Sequence, residues 1–157
     1  MMGPKVGNLI SGVAVLMLLM CLKYTIANSN IVFKLSARNL PTYDPFGGYP
    51  DPYVTLSYEN PPNPPLDFGE TSKLVDTPDP DWPEVFNVIY TNGSSQRLVL
   101  DVYDEDVDSD DLMGSVTIYL EEIVTTFGGA LEKDILLNNS TQMGQIRLLA
   151  NVTTDSK

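Results

Sequence analysis

The sequence predicts an all-β fold, an eight-stranded antiparallel Greek-key β-sandwich. Short runs rich in Val, Ile, Tyr and Thr recur along the chain, and several alternate apolar with polar residues, which is typical of strands with one buried face. Clusters of Pro, Gly, Asn and Asp separate these runs. After residue 27 no run has a convincing helical period. Together these features favour a Greek-key sandwich or barrel, and periodicity alone does not choose between the two.

The individual strands differ in the strength of their signal. Residues 31–37 alternate cleanly, whereas residues 71–75 are the weakest candidate. Asn92-Gly93, in a turn-rich loop between two β-runs, predicts a hairpin. Residues 121–127 are predicted to form one helical turn, and the proline-rich residues 60–65 a stiff surface loop. The predicted strands are residues 31–37, 52–58, 71–75, 84–90, 97–103, 114–120, 133–137 and 144–152.

The first 27 residues predict a cleavable signal peptide. Lys5 precedes an apolar run at residues 9–22, and Thr25 and Ala27 follow as a small-x-small pair. Cleavage after Ala27 would leave a domain of residues 28–157, secreted or in the lumen of the secretory pathway. An uncleaved membrane anchor is the alternative, disfavoured because a spanning helix needs roughly 20 apolar residues.

Cysteine and sequon positions fit a secretory compartment. The single cysteine, Cys21, lies in the predicted leader, so the domain would have no disulfide and would be held by its core. Four N-x-S/T sequons predict glycosylation. Their asparagines are Asn92, Asn138, Asn139 and Asn151.

Charge and composition exclude several functions. Lys and Arg total 9 against 21 Asp and Glu, a net charge of −12, and loss of Lys5 and Lys23 with the leader would make it −14. Such a surface repels nucleic acid and anionic lipid unless a cation intervenes. The chain has no histidine, so it contains no Ser-His-Asp triad. Its single cysteine lies in the predicted leader, so the domain without the leader has no Cys nucleophile. We therefore expect a protein that is not an enzyme and does not bind nucleic acid.

The densest chemistry is the acidic run at residues 104–111, which directly follows a predicted strand. Six of its eight residues are Asp or Glu, and two like charges ~4 Å apart repel by about 4 kcal/mol at an effective dielectric near 20. Numerous hard oxygen donors suit Ca²⁺, and a merely solvated loop is the alternative. An EF-hand is excluded, because Ser109 and Ser115 stand where its loop requires Gly and Glu.

A second acidic segment lies far upstream, at Asp44 and Asp51. Each precedes a proline, and taken alone each is an ordinary turn residue. A Greek-key topology would bring this segment and residues 104–111 together at one end of the sandwich, where binding sites are commonly formed by loops.

Three segments, in the correct order, resemble the C2 domain family. Residues 39–44 and 51–54 resemble the first strand end, first loop and second strand; residues 77–86 reproduce the pattern T-x-x-P-x-W-x-E-x-F; residues 102–106 and 111–114 resemble the third loop and its exit. The resemblance extends over residues 31–152. With eight predicted strands and none ahead of the strand that leads into Asn39-Leu40-Pro41, the chain is similar to the circularly permuted C2 domains of perforin and phospholipases.

The resemblance implies a Ca²⁺ site built by aspartates of two loops at one tip. The first loop would supply Asp44 and Asp51. The third would supply Asp104, Asp106 and Asp111, with Asp110 or Asp108 as a peripheral ligand. The first loop is one residue longer than usual and the third one shorter, which affects the peripheral ion more than the central one.

The implied function is Ca²⁺-dependent association with phospholipid membranes. Side chains at the tip would enter the headgroup region; they are Tyr43, Phe46, Tyr49 and Val107. The alternative is that the aromatic residues brace a long loop, and that the domain is a Ca²⁺-stabilised protein-interaction or matrix module that does not bind lipid. The family's lysine-rich strand is missing, since only Lys73 lies between Thr71 and Asp81, so phosphoinositide binding on that face is not expected.

Overall fold

The computed structural model describes residues 28–42, 48–126, 128–138 and 140–154. The predicted signal peptide lies outside these residues, as do Tyr43, Asp44, Phe46 and Asn139. Within the described part of the chain, no helix is long and apolar enough to cross a membrane. The elements are β1 Asn28–Arg38, β2 Pro52–Glu59, β3 Leu66–Glu70, β4 Phe86–Thr91, β5 Arg97–Asp104, β6 Asp111–Tyr119, α1 Leu120–Thr125, β7 Ala130–Leu137 and β8 Thr141–Thr154.

The eight strands form one antiparallel sheet in the order β3-β2-β5-β6-β7-β8-β1-β4. β6 and β7 are joined by the single register pair Ser115 and Leu136 among the described residues, so the sheet folds there into two four-stranded layers. The predicted all-β antiparallel fold is confirmed. β8 lies beside β1, in keeping with the permuted arrangement.

The core lies between the layers and follows the strand alternation. In β1 the inward side chains are Ile31, Phe33, Leu35 and Ala37, each at most 2% exposed. Successive residues of a strand point to opposite faces, so one face of β1 is available for the core and the other for solvent. Burying each large apolar side chain contributes roughly 1.5–3 kcal/mol, which is the main source of stability in a domain without disulfides.

The prediction of a strand at residues 71–75 is wrong. The third strand is β3, Leu66–Glu70, and the following residues form a loop against the start of β2, where Thr71 N donates to Val54 O and Leu74 N to Pro52 O. β3 is an edge strand with a bulge opposite Leu56 and Ser57. Edge strands carry polar residues and glycine because only one side is paired, which explains the weak sequence signal.

The prediction of a hairpin at Asn92-Gly93 is wrong, because the strands on either side of this turn do not pair with each other. The turn itself is present, closed by a hydrogen bond from Ser94 N to Thr91 O with Gly93 at a positive φ of 78°. However, β4 pairs with β1, whereas β5 pairs with β2 and β6. The turn therefore carries the chain from one layer to the other. The predicted helical turn is confirmed as α1, which buries Leu120 and Ile123.

Candidate functional site

Three loops meet at one end of the sandwich, which we call the acidic pole: the residues before β2 (48–51), the loop after β3 (71–77) and the loop between β5 and β6 (105–110). Asp51 connects all three. Its N–H donates to Asp104 Oδ1 at 2.7 Å and its Oδ1 accepts from Asp76 N at 2.6 Å. Its carbonyl accepts from Glu105 N at 3.1 Å. The two acidic segments, separated by some fifty residues in sequence, thus lie in direct contact, as the Greek-key topology implied.

Asp104 is the buried member of the pole. It ends β5, in register with Pro52 on one side and Asp111 on the other, and only 7% of it is exposed. Burial raises its pKa; the hydrogen bond from Asp51 N opposes that effect, and the negative charges of Asp106, Asp51 and Asp111 raise the pKa further. Four carboxylates therefore act on one another here, and a cation between them would relieve the repulsion.

A second group of side chains supports the pole from the opposite face of β2 and β5, and we call it the Lys73 brace. Lys73 Nζ lies 2.5 Å from Glu105 Oε1 and 4.0 Å from Asp110 Oδ2, and 5.0 Å from the centre of the Tyr53 ring. The Tyr53 hydroxyl donates to Asp110 Oδ2 at 2.6 Å, and Tyr103 stacks on Tyr53. The brace thus anchors the acidic loop at its start and near its end.

The brace determines the protonation behaviour of Asp110. The hydrogen bond from Tyr53, followed by one from Asp106 N, lowers the pKa of Asp110. Burial, followed by the same bond to Asp110, raises the pKa of Tyr53. Asp110 is therefore held as a carboxylate on the Tyr53 side of the sheet, while Asp51 and Asp104 contact each other at the strand ends.

The described residues contain no group of three or more acidic side chains close enough to hold a metal ion; Asp44 lies outside them. The donor chemistry still fits a hard cation. Asp51 and Asp104 each use Oδ1 to accept a backbone N–H, and Oδ2 of each accepts no bond from a described residue. Ca²⁺ ligation by Asp51, Asp104, Asp106, Asp111, Asp44 and Asp110 stays a prediction.

Exposed apolar side chains surround the pole. Val107, at the tip of the acidic loop, is fully exposed, and Tyr49 is 60% exposed; contact of either residue with a membrane stays a prediction. Two further exposed residues were not predicted: Val75 in the loop after β3 and Leu112 at the start of β6.

Sequence reasoning also missed Asp76. This residue holds Asp51 through its backbone N–H, and its side chain accepts from Tyr49 N. Reading residues 71–75 as a loop, ended by an Asp that tolerates its positive φ of 54°, would have identified this third part of the pole.

The predicted glycosylation sites lie at the surface where they are described. Asn92, Asn138 and Asn151 are exposed, so each amide is accessible for modification. Glycosylation itself, at these three residues and at Asn139, stays a prediction.

A model of the C2 domain family matches residues 30–136, and the chain belongs to this family. Extended synaptotagmin-3 of mouse is 31% identical over 120 residues, which cover 74% of this chain and 12% of that protein. Human GIVD cytosolic phospholipase A2 in complex with methyl gamma-linolenyl fluorophosphonate is 30% identical with a TM-score of 0.55, covering 79% of this chain and 17% of that one. The calcium-bound pair of C2 domains of extended synaptotagmin 2 is 23% identical with a TM-score of 0.55, covering 80% of this chain and 45% of that one.

These proteins are much longer than the matched region. The chain spans 12% of the length of the curated relative and 17% of the phospholipase. The similarity therefore shows a shared domain and not a shared activity.

Proposed function

We propose that this chain is a Ca²⁺-binding C2 domain that associates with phospholipid membrane surfaces when calcium is bound, and that it is not an enzyme. The observation that carries the proposal is the contact between Asp51 and Asp104, which brings two distant acidic segments to one pole. The calcium-bound state of a solved C2 relative supports the choice of ion. Four exposed apolar side chains at the same pole support a membrane role; they are Val107, Tyr49, Val75 and Leu112.

The aspartates of the pole and the exposed apolar residues around it have different proposed roles. Asp51 and Asp104 are joined through the Asp51 N–H; their Oδ2 atoms would ligate the ion, and Asp106 and Asp111 would supply further carboxylates. Bound Ca²⁺ would supply positive charge that neutralises the pole and accepts a lipid phosphate oxygen. The exposed apolar side chains then enter the headgroup region, where Tyr is favoured. Without the ion, the net charge of −12 repels an anionic surface.

The compartment is part of the proposal. The predicted leader and the surface sequons support an extracellular or luminal location. Extracellular modules bind Ca²⁺ with Kd values of roughly 10⁻⁴–10⁻³ M, so the site would be occupied continuously outside cells. The domain would then act as a permanent membrane adaptor and not as a calcium-dependent switch.

Two measurements on the purified protein test this function. A Ca²⁺ titration of the melting temperature should show a rise, because ligand binding to the native state adds stability, and Asp104→Asn/Asp106→Asn should abolish it. Phosphatidylserine vesicles should sediment the protein with Ca²⁺ but not with chelator. Asp67→Asn/Glu121→Gln is the matched control, since it removes the same charge from exposed positions on β3 and α1, away from the Asp51–Asp104 contact.

The outcomes separate the candidate functions. Absence of both thermal protection and calcium-dependent sedimentation would refute the proposal. Thermal protection without sedimentation would replace the membrane role with the alternative, a Ca²⁺-stabilised protein-interaction module.

A further inference from the structure

A groove on the outer face of β1 and β8 contains three basic residues. Its volume is about 340 Å³, and it is formed by both strands together with the segment 81–83. This segment runs beside β1 through a bridge between Ser36 and Asp81. The residues that line it include Lys34, Ser36, Arg38, Trp82, Arg147 and Leu149.

Three cationic residues neighbour Ser36 in this groove. Lys34, Ser36 and Arg38 alternate with buried residues along β1, so they share its outward face. Arg147 on β8 lies directly opposite Ser36, and it is therefore the diagonal neighbour of both Lys34 and Arg38, about 7–8 Å from each along the sheet. Ser36 lies between Lys34 and Arg38 on β1 and opposite Arg147 on β8, and we call the three cations the cationic triangle.

The pairing of cations elsewhere makes the cationic triangle unusual. Of the six Lys and Arg residues that the structure describes, four form ion pairs with Asp or Glu. The two that form none with a described residue are Lys34 and Arg147, and both belong to the triangle. Acidic residues outnumber basic ones by 21 to 9, so partners are abundant, yet these two cations adjoin each other.

The anionic groups around the groove leave two of its three cations without an ion pair to a described residue. Asp81 pairs with Arg38 at 2.8 Å, but their side chains are 44% and 73% exposed in the order Arg38, Asp81, and exposed pairs are weak. Glu132 on β7 lies opposite Arg147 in register without forming an ion pair with it. Asp134 lies on the same outward face but accepts from Gln142 and Gln145, and Asp79 accepts from Asn39 N.

We propose that the cationic triangle binds a phosphomonoester dianion, independently of the acidic pole and without calcium. A guanidinium group offers a planar pair of N–H donors that matches two phosphate oxygens, and an ammonium group adds a point charge. Ser36 provides a neutral donor between them, and the exposed side chain of Leu149 supplies an apolar wall for the group that carries the phosphate. The dianion would replace Asp81 as the partner of Arg38.

The experiment uses the purified protein in chelator, so that its result is independent of the calcium site. Inorganic phosphate is titrated at constant ionic strength while the backbone amide shifts of β1 and β8 are followed by NMR. Lys34→Gln/Arg147→Gln should weaken binding at least about tenfold, because two charge-assisted hydrogen bonds are lost. Arg97→Gln/Lys133→Gln is the matched control: it removes the same charge elsewhere and should change the affinity less than about twofold.

Two further arms identify the source of the phosphate. If vesicles of phosphatidylcholine with phosphatidic acid bind in chelator, depend on Lys34 and Arg147, and lose this binding when phosphatidic acid is omitted, the ligand is a lipid headgroup. If phosphate shifts the amides but such vesicles do not bind, the ligand is a soluble phosphomonoester. The proposal is overturned if phosphate moves no amide near Ser36, or if the control pair weakens binding as much as the groove pair does.

Discussion

The acidic pole and the cationic triangle place like charges together by different means. At the pole the carboxylates lie on loops or strand ends, and backbone N–H groups of neighbouring loops hold them, as Asp76 N holds Asp51. In the triangle the cations lie on regular strands, and the register of β1 and β8 fixes their spacing. Loops can adjust to an ion that needs 6–8 oxygens in flexible geometry. Strands present a fixed pattern, which suits a ligand of fixed shape such as a tetrahedral phosphate.

One residue contacts both regions. Trp82 is 2% exposed; its indole N–H donates to Pro52 O at 3.3 Å, next to Asp51 at the pole, and its backbone N–H donates at 3.2 Å to Leu35 O, between Lys34 and Ser36 on β1. It therefore contacts both the start of β2 and the strand that carries two cations of the triangle.

The largest effect is expected for Trp82→Ala, which should lower the free energy of unfolding by about 3–5 kcal/mol because it removes a buried aromatic residue and leaves a cavity. Urea unfolding measures it. Trp82→Phe keeps most of the packing and loses the bond to Pro52 O, and should cost about 1 kcal/mol. If Trp82→Ala lowers the free energy of unfolding by less than the roughly 1 kcal/mol expected for Trp82→Phe, the side chain of Trp82 does not stabilise the two regions.

An intermediate effect is expected for Asp104→Asn in chelator. The folded state raises the pKa of Asp104 above its ordinary value of 3.8, so its contribution to stability is present below the unfolded pKa and is lost as the pH rises through the folded one. The asparagine variant escapes this loss while its Oδ1 still accepts from Asp51 N. The free energy of unfolding of the variant should therefore exceed that of the wild type by about 1 kcal/mol at pH 7. This difference should become smaller near pH 4, where Asp104 of the wild type is increasingly protonated.

Urea unfolding of both proteins at the two pH values checks this prediction. A variant less stable than the wild type at pH 7 in chelator would show that the carboxylates of the pole do not repel one another. Added Ca²⁺ should reverse the order, since the wild type then gains binding energy that the variant lacks.

A smaller effect is expected for the Lys73 brace, and it rests on calcium binding at the pole. Lys73 contributes a positive charge beside Glu105 and Asp110, which repels an incoming cation. Lys73→Met should therefore raise the Ca²⁺ affinity by about two- to fivefold, the scale of an exposed charge interaction. Lys73→Arg keeps the charge and should leave the affinity nearly unchanged. Calorimetric titration with Ca²⁺ measures both, and weaker binding in the Met variant would mean that the brace preorganises the acidic loop.

Local patterns gave the correct answer where a local cause decides the structure. The alternation of residues 31–37 predicted β1, because side chains of a strand face the core and solvent in turn. The turn at Asn92-Gly93 was also correct as a turn, because Gly93 adopts a positive φ at no steric cost. The partner of β4 was wrong, since the pairing of β4 with β1 buries Val88 and Tyr90, and that requires a surface formed by residues far away in the chain.

Residue types at short spacing were enough to establish the class of fold, the motif that includes Trp82, and the two acidic segments that meet at the pole. Three-dimensional packing was needed to establish that Asp76 holds Asp51, that Lys73 and Tyr53 hold Asp110, and that Arg147 lies opposite Ser36. These contacts join residues up to 111 positions apart. Strand register sets such distances, and register follows from the packing of the whole core, which no single segment contains.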